Sequence, residues 1–233
     1  MVSRNINQRF IDLSHTFEDG MPGFRMKSED GTVTPFSARI RPFLTHEQSR
    51  PRYNHQAEFE ITEMTFQTSI GTYLDSPYHR FPDRRDISEL ELDEVILPGV
   101  VIDVRGREAW EAVGPNVLPS GISLAGKAVL FNFGWDVHWG TEAYHAFPFI
   151  ARELIAHLVN AGAKLVGMDT LNADDTHDSS RPAHSEFLSR DILIVENLCH
   201  LDRLHKHDFR FFAVPWKAKN VAALPVRAFA EIV

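Results

Sequence analysis

Ser69-Ile70-Gly71-Thr72-Tyr73-Leu74-Asp75-Ser76-Pro77-Tyr78-His79 is the stretch from which the fold can be read. It follows a run that alternates like a strand, and it sets a carboxylate and an imidazole four positions apart around Pro77. Asp-Ser-Pro is a turn and helix-start signal: Ser76 suits a cap, and Pro77 suits the first helical position. Gly71 supplies backbone freedom where the strand gives way to the loop. Two readings of the pair stand side by side. Asp75 could cap the turn with His79 on the surface, or both could be presented into a cleft by a proline-held loop.

A second stretch, from Pro182 to Leu198, bears on that choice. His184 and Glu196 lie twelve positions apart, and the apolar run Ile192 to Val195 between them reads as a buried strand. Glu196 then stands at the end of that strand. A buried carboxylate needs a partner, since desolvating it alone is costly, and a metal or an arginine would serve.

Together the two stretches resemble the cyclase family of metal-dependent hydrolases, which includes bacterial kynurenine formamidase and isatin hydrolase. The family signature runs His-x-Gly-Thr-His-x-Asp-x-Pro-x-His, followed much later by a His and a Glu twelve apart. Gly71, Thr72, Asp75, Pro77, His79, His184 and Glu196 match it, while Ser69 and Tyr73 stand where the first two histidines would be. Phe10 to His15, Gly134-Trp135-Asp136, Gly167 to Thr170 and Leu224 to Ala228 are similar to further family blocks. The resemblance implies a single α/β domain over residues 1–233, of the swivelling β/β/α kind with a mixed sheet. It also implies a homo-oligomer, dimer or tetramer.

Composition agrees with a globular chain. Of 233 residues, 43% are hydrophobic and 24% charged, the makeup of one domain with a sizeable core. A net charge of -8 argues against nucleic-acid binding, which calls for a basic face. The only cysteine, Cys199, reads as a buried thiol, and the lack of a disulfide framework fits a reducing cytoplasm. Met1 to Arg9 is polar with no apolar signal core, and no run approaches a membrane span. Twelve histidines are unusual, but His200, His205 and His207 sit in a charged segment that reads as a solvated loop.

Along the chain, Phe10 to Leu13 reads as a strand, and residues 24–54 as a long irregular arm carrying Arg39, Arg41, Arg50 and Arg52. Such an arm is a lid, a subunit contact or a decoration. Residues 57–68 alternate, with a switch that suggests a bulge near Glu63. Residues 86–94 are acidic and read as exposed. Gly99 to Val104, Ala128 to Phe133, Lys164 to Thr170, Phe209 to Trp216 and Val226 to Ile232 read as strands. The aromatic loop Gly134 to Phe149 is either a core lid or the wall of a pocket for a planar substrate. Pro148 opens the clearest helix and Gly162 closes it. Asp174 to Asp178 reads as a solvated turn, since it lacks calcium-loop spacing.

The chemistry follows from what is present. There is no Gly-x-Ser-x-Gly elbow and no phosphate loop, so a nucleophilic-residue route has little support. Carried over from the family, Asp75, His184 and Glu196 would hold one divalent ion, with zinc or manganese favoured. His79 would be the general base, Tyr73 would orient substrate or an oxyanion, and Ser69, Trp135 and His138 would line the small-molecule site. The expectation is a hydrolase of an amide-type bond: an N-formyl aryl amine, a cyclic amide or a lactone. A metal-free lyase or cyclase and a non-catalytic binder are the alternatives left open by the missing histidines.

Overall fold

The computed structural model describes residues 9–28 and 30–233, so apart from Arg9 the polar segment 1–9 lies outside the described residues. The chain divides into two compact units. One comprises Thr72–Val233 with the described residues up to His15, and the other is Thr16–Gly71.

The first unit contributes β1 (Phe10–Asp12) before the chain enters the second. There, β2 (Pro22–Lys27) and β3 (Val33–Ser37) form one antiparallel hairpin. A second antiparallel pair joins β4 (Arg39–Leu44) to β5 (Ile61–Thr65), with the short α1 (His46–Ser49) between them. The expected irregular arm at 24–54 is therefore about half strand, followed by short helical turns over His46–Ser49 and Arg50–Tyr53. Its strand period is masked because charges sit at cross-strand positions: Arg41 faces Glu63 in register and bonds it at 2.9 Å. The bulge falls not at Glu63 but on β4, between Pro42 and Leu44, where a proline without an N–H is best tolerated. Gly71, at φ 64, takes the left-handed conformation its position requires.

Returning to the first unit, the chain forms β6 (Tyr73–Asp75), α2 (Leu92–Val95), β7 (Ile96–Asp103), β8 (Ala112–Val113) and β9 (Ala128–Asn132). β10 (Phe149–Ile150), α3 (Arg152–Asn160), β11 (Leu165–Met168), α4 (Pro182–Leu188) and β12 (Leu193–Glu196) follow. β13 (Phe209–Phe212), β14 (Ala223–Pro225) and β15 (Phe229–Ile232) close it. Nine of these strands make one mixed sheet in the order β1-β15-β13-β7-β9-β11-β12-β6-β14. β7, β9, β11 and β12 run parallel, and every other neighbouring pair is antiparallel. The fold is α/β with a mixed sheet, as the resemblance implies.

The parallel strands are apolar on both faces because both are covered. Val129, Phe131, Val166 and Ile194 pack with Leu154, Leu158, Phe187 and Leu188 of α3 and α4. The alternate residues Leu130, Leu165, Leu193 and Val195 pack on the opposite side with Leu13, Leu74 and Phe211. α3 begins at Arg152 rather than Pro148, because Phe149 and Ile150 pair in parallel with β8 instead. Residues 86–94 are not simply exposed: Asp86 and Ile87 are buried, and Glu94 pairs with Arg85 at 2.8 Å. The segment around His200 is likewise no solvated loop, since Leu201 and Leu204 are buried and His205 contacts Asn132 at 2.8 Å. Cys199 is buried as expected, and burial pushes its thiol up to about 12. No described helix is long and apolar enough to cross a membrane.

Candidate metal centre

One strand register assembles the acidic half of the site. β6 lies between β12 and β14, with Tyr73 opposite Glu196 and Asp75 opposite Ile194. Directly opposed residues of antiparallel strands point to the same face, and the period of two puts Asp75 on the face of Tyr73. Tyr73, Asp75 and Glu196 therefore share one side of the sheet. Pro77–His79 then forms a single 3-10 turn that brings His79 back over Asp75. Ser76 does not cap this turn; its hydroxyl donates to the Ala222 carbonyl at 2.7 Å, tying the loop beside β14.

His184 arrives from α4, whose first turn begins at Pro182 behind Arg181 in the left-handed conformation. His184 Nε2 lies 3.7 Å from Asp75 Oδ2, and His79 Nδ1 lies 3.5 Å from Asp75 Oδ1. Donor atoms of Asp75, His79 and His184 all fall within 4.8 Å of one another. Asp75 is fully buried, yet neither of its oxygens has a hydrogen-bond partner among the described residues. A buried carboxylate left without donors needs a cation nearby. Ligands about 2.0–2.1 Å from one tetrahedral ion stand roughly 3.4 Å apart, and the two imidazoles come near that spacing, each at a different Asp75 oxygen. The donor set fits a divalent ion, and Asp75/His79/His184 is a candidate metal-binding site.

Glu196 stands next to this triad. Its Oε1 is 3.6 Å from His184 Nε2 and accepts from the Ala173 N–H at 2.9 Å, while its Oε2 accepts from the Tyr73 hydroxyl. Burial raises the Glu196 carboxyl above its usual range, against the pull of His184. Burial and the Glu196 charge hold the Tyr73 phenol well above its ordinary value, so it stays a donor and its proton is directed at Glu196. Burial alone would lower the His184 imidazole. Its bond to Asp174, with the charges of Glu196 and Asp75 beside it, outweighs that and pushes it up to about 10.

The remaining sequence-predicted residues are carried by other elements. Trp135 and His138 occupy one 3-10 turn after β9 and contact each other at 4.9 Å. That turn hangs on Asp169, whose carboxylate accepts the N–H groups of Phe133, Gly134 and Trp135 at 2.8, 2.7 and 3.2 Å. Ser69 is half-buried and belongs to the Thr16–Gly71 unit. Two features escaped the sequence. Asp174, read as part of a solvated turn, is fully buried and bonded to His184, because the loop that carries it folds under α4. His15 stacks flat on Trp139 at 3.9 Å, and the Tyr144 hydroxyl donates to Asn197 Oδ1 at 2.9 Å. Ser14-His15 at the end of the opening strand was the available signal for the stack.

The Cyclase family model, described as "Putative cyclase", matches residues 11–175. The chain belongs to the cyclase family. Kynurenine formamidase of Erythrobacter litoralis is 29% identical over 217 residues, which cover 93% of this chain and 91% of that protein. Kynurenine formamidase of Bacillus cytotoxicus is 26% identical over 196 residues, 84% of this chain and 87% of that one. Among solved structures, an isatin hydrolase bound to the product analogue thioisatinate superposes with a TM-score of 0.83 at 19% identity, covering 96% of this chain and 92% of that chain. That likeness carries the fold. Membership of a metal-dependent hydrolase and cyclase superfamily does not single out kynurenine formamidase among its activities, and the metal-binding set here is reduced.

Proposed function

We propose that this cyclase-family chain is a hydrolase of small amide-type substrates (N-formyl aryl amines, cyclic amides or lactones) that works with one divalent ion, zinc or manganese. The observation that carries the reading is the buried, partnerless Asp75 carboxylate facing two imidazole nitrogens at 3.5 and 3.7 Å. Asp75, His79 and His184 would hold the ion, which when bound supplies an acidified water and a polarised carbonyl. Glu196 would take up a proton at Oε1, its other oxygen being held by the Tyr73 hydroxyl. His79, with a side chain 34% exposed, is the member of the group open to solvent. Trp135 and His138 would contact the substrate. Kynurenine formamidase and isatin hydrolase relatives support an amide-type bond without choosing among these substrates.

A second reading keeps Glu196 as the third ligand and makes His79 the base. The 3.6 Å approach of Glu196 to His184 favours it. Elemental analysis of tag-free protein separates the two. One equivalent of metal in the parent, none in Asp75→Ala or His79→Ala, and retained metal with lost turnover in Glu196→Gln is the outcome expected. Retained metal in His79→Ala and none in Glu196→Gln would instead favour the second reading. A metal-free parent that still turns substrate over points to the lyase, and one that does neither is a binder.

We also propose a homo-oligomer in a reducing compartment. The faces of the Thr16–Gly71 unit that carry Phe24, Met26, Phe43 and Ile61 in exposed positions are suited to cover one another in a second copy.

A further inference from the structure

We propose that Asp174 is a positioning residue that sets which nitrogen His184 offers to the metal, and that Ala173-Asp174 acts as one clamp on both sides of the site. The inference rests on the metal-binding reading above. Asp174 Oδ2 lies 2.7 Å from His184 Nδ1 and also accepts the His184 N–H at 3.2 Å, while Oδ1 accepts the Ala183 N–H at 2.5 Å. A carboxylate is an acceptor only, so the imidazole must keep its proton on Nδ1 when it faces Asp174. In the neutral ring that binds a metal, Nε2 is then the lone-pair nitrogen, and it is Nε2 that points at Asp75 and Glu196. A ligating histidine whose far nitrogen is bonded to a carboxylate is fixed in tautomer and ring orientation.

The adjacent residue does the same for the other side. The Ala173 N–H holds Glu196 Oε1 at 2.9 Å. The pair is itself pinned: Asn172 Oδ1 accepts the Asp174 N–H at 3.0 Å, and the Ala173 carbonyl accepts the Ile150 N–H at 3.1 Å. A movement of this loop therefore shifts His184 and Glu196 together. Asp174 is buried and touches no other titratable side chain than His184 among its described hydrogen bonds, so helix capping alone leaves its contact with Nδ1 unexplained.

The test is Asp174→Asn, which keeps an oxygen for the Ala183 N–H but can turn an amide N–H toward Nδ1. Zinc affinity, read by competition with a chromophoric chelator, is expected to fall about 10–100-fold. The visible spectrum of the cobalt-substituted protein is expected to change, and Asp174→Glu is expected to recover part of the affinity. Parent affinity and an unchanged cobalt spectrum in Asp174→Asn, whose metal-free form melts as the parent does, would overturn the proposal. A third readout does not depend on metal. The metal-free parent is expected to show an exchange-protected, downfield imidazole Nδ1–H proton resonance that Asp174→Asn lacks. That resonance in a parent that takes up no zinc would remove the metal reading and leave the clamp standing, and its absence from the parent would remove the clamp.

Discussion

His15 carries the clearest pH dependence at the level of single residues. Burial lowers its imidazole to about 4, opposed by the charge of Asp136, and its Nε2 has no partner among the described residues. The folded protein keeps it neutral, whereas the unfolded chain takes up a proton near the ordinary histidine value of 6.5. Protonation then favours the unfolded chain, so stability is full above 6.5 and falls as pH drops toward 4. Comparing urea midpoints of the parent and His15→Gln at pH 7.5 and 5 should show the parent losing roughly 1–2 kcal/mol more, once partial solvent exposure is discounted. Equal losses would count against the burial argument. At this scale the sequence, through its resemblance to the cyclase signature, singled out Asp75, His79, His184 and Glu196, and the structure brings all four together. It did not expose Asp174, because nothing local distinguishes a carboxylate that folds under a helix from one left in water.

Elements were legible where hydrophobic period alone decides them. β9, β11 and β12 are short apolar runs buried on both faces, and they lie within a residue or two of where the run of Val, Leu and Ile places them. β5 lies inside the alternation read at 57–68, but β2, β3 and β4 were not legible, since β3 and β4 are largely exposed on both faces and leave no polar and apolar alternation to read. α4 was missed because seven residues give too short a period, and Phe149–Ile150 was drawn into α3 because a two-residue bridge has none. The pairing of β7 with β13 offers a direct test. Gly99 sits opposite Phe209, and a Cβ on Gly99 would come within 2.0 Å of that ring. Gly99→Ala should cost about 1–3 kcal/mol in denaturant unfolding, with Phe209→Leu as a second change restoring part of the loss. A neutral Gly99→Ala would mean that the ring has room to move.

For the whole molecule, the Thr16–Gly71 unit holds much of the exposed apolar surface, with Phe24 and Phe43 63% and 67% exposed. Phe24→Glu combined with Phe43→Glu should lower the mass measured by light scattering if these faces meet a second copy, and an unchanged mass would remove them from the interface. The fold class was readable at this scale from alternating strands and a helix, but the strand order was not, since β6, next to the edge strand β14, finds both its neighbours more than a hundred residues away. That wiring has a consequence for how the protein is made. The segment bearing Asp75 leaves the ribosome early, yet it has no strand on either side until 193–196 and then 223–225 have been translated. The nascent chain thus carries an acidic side chain with nowhere to bury it until residue 225 has been made, and the ion that we propose Asp75 helps to hold could be captured only after that.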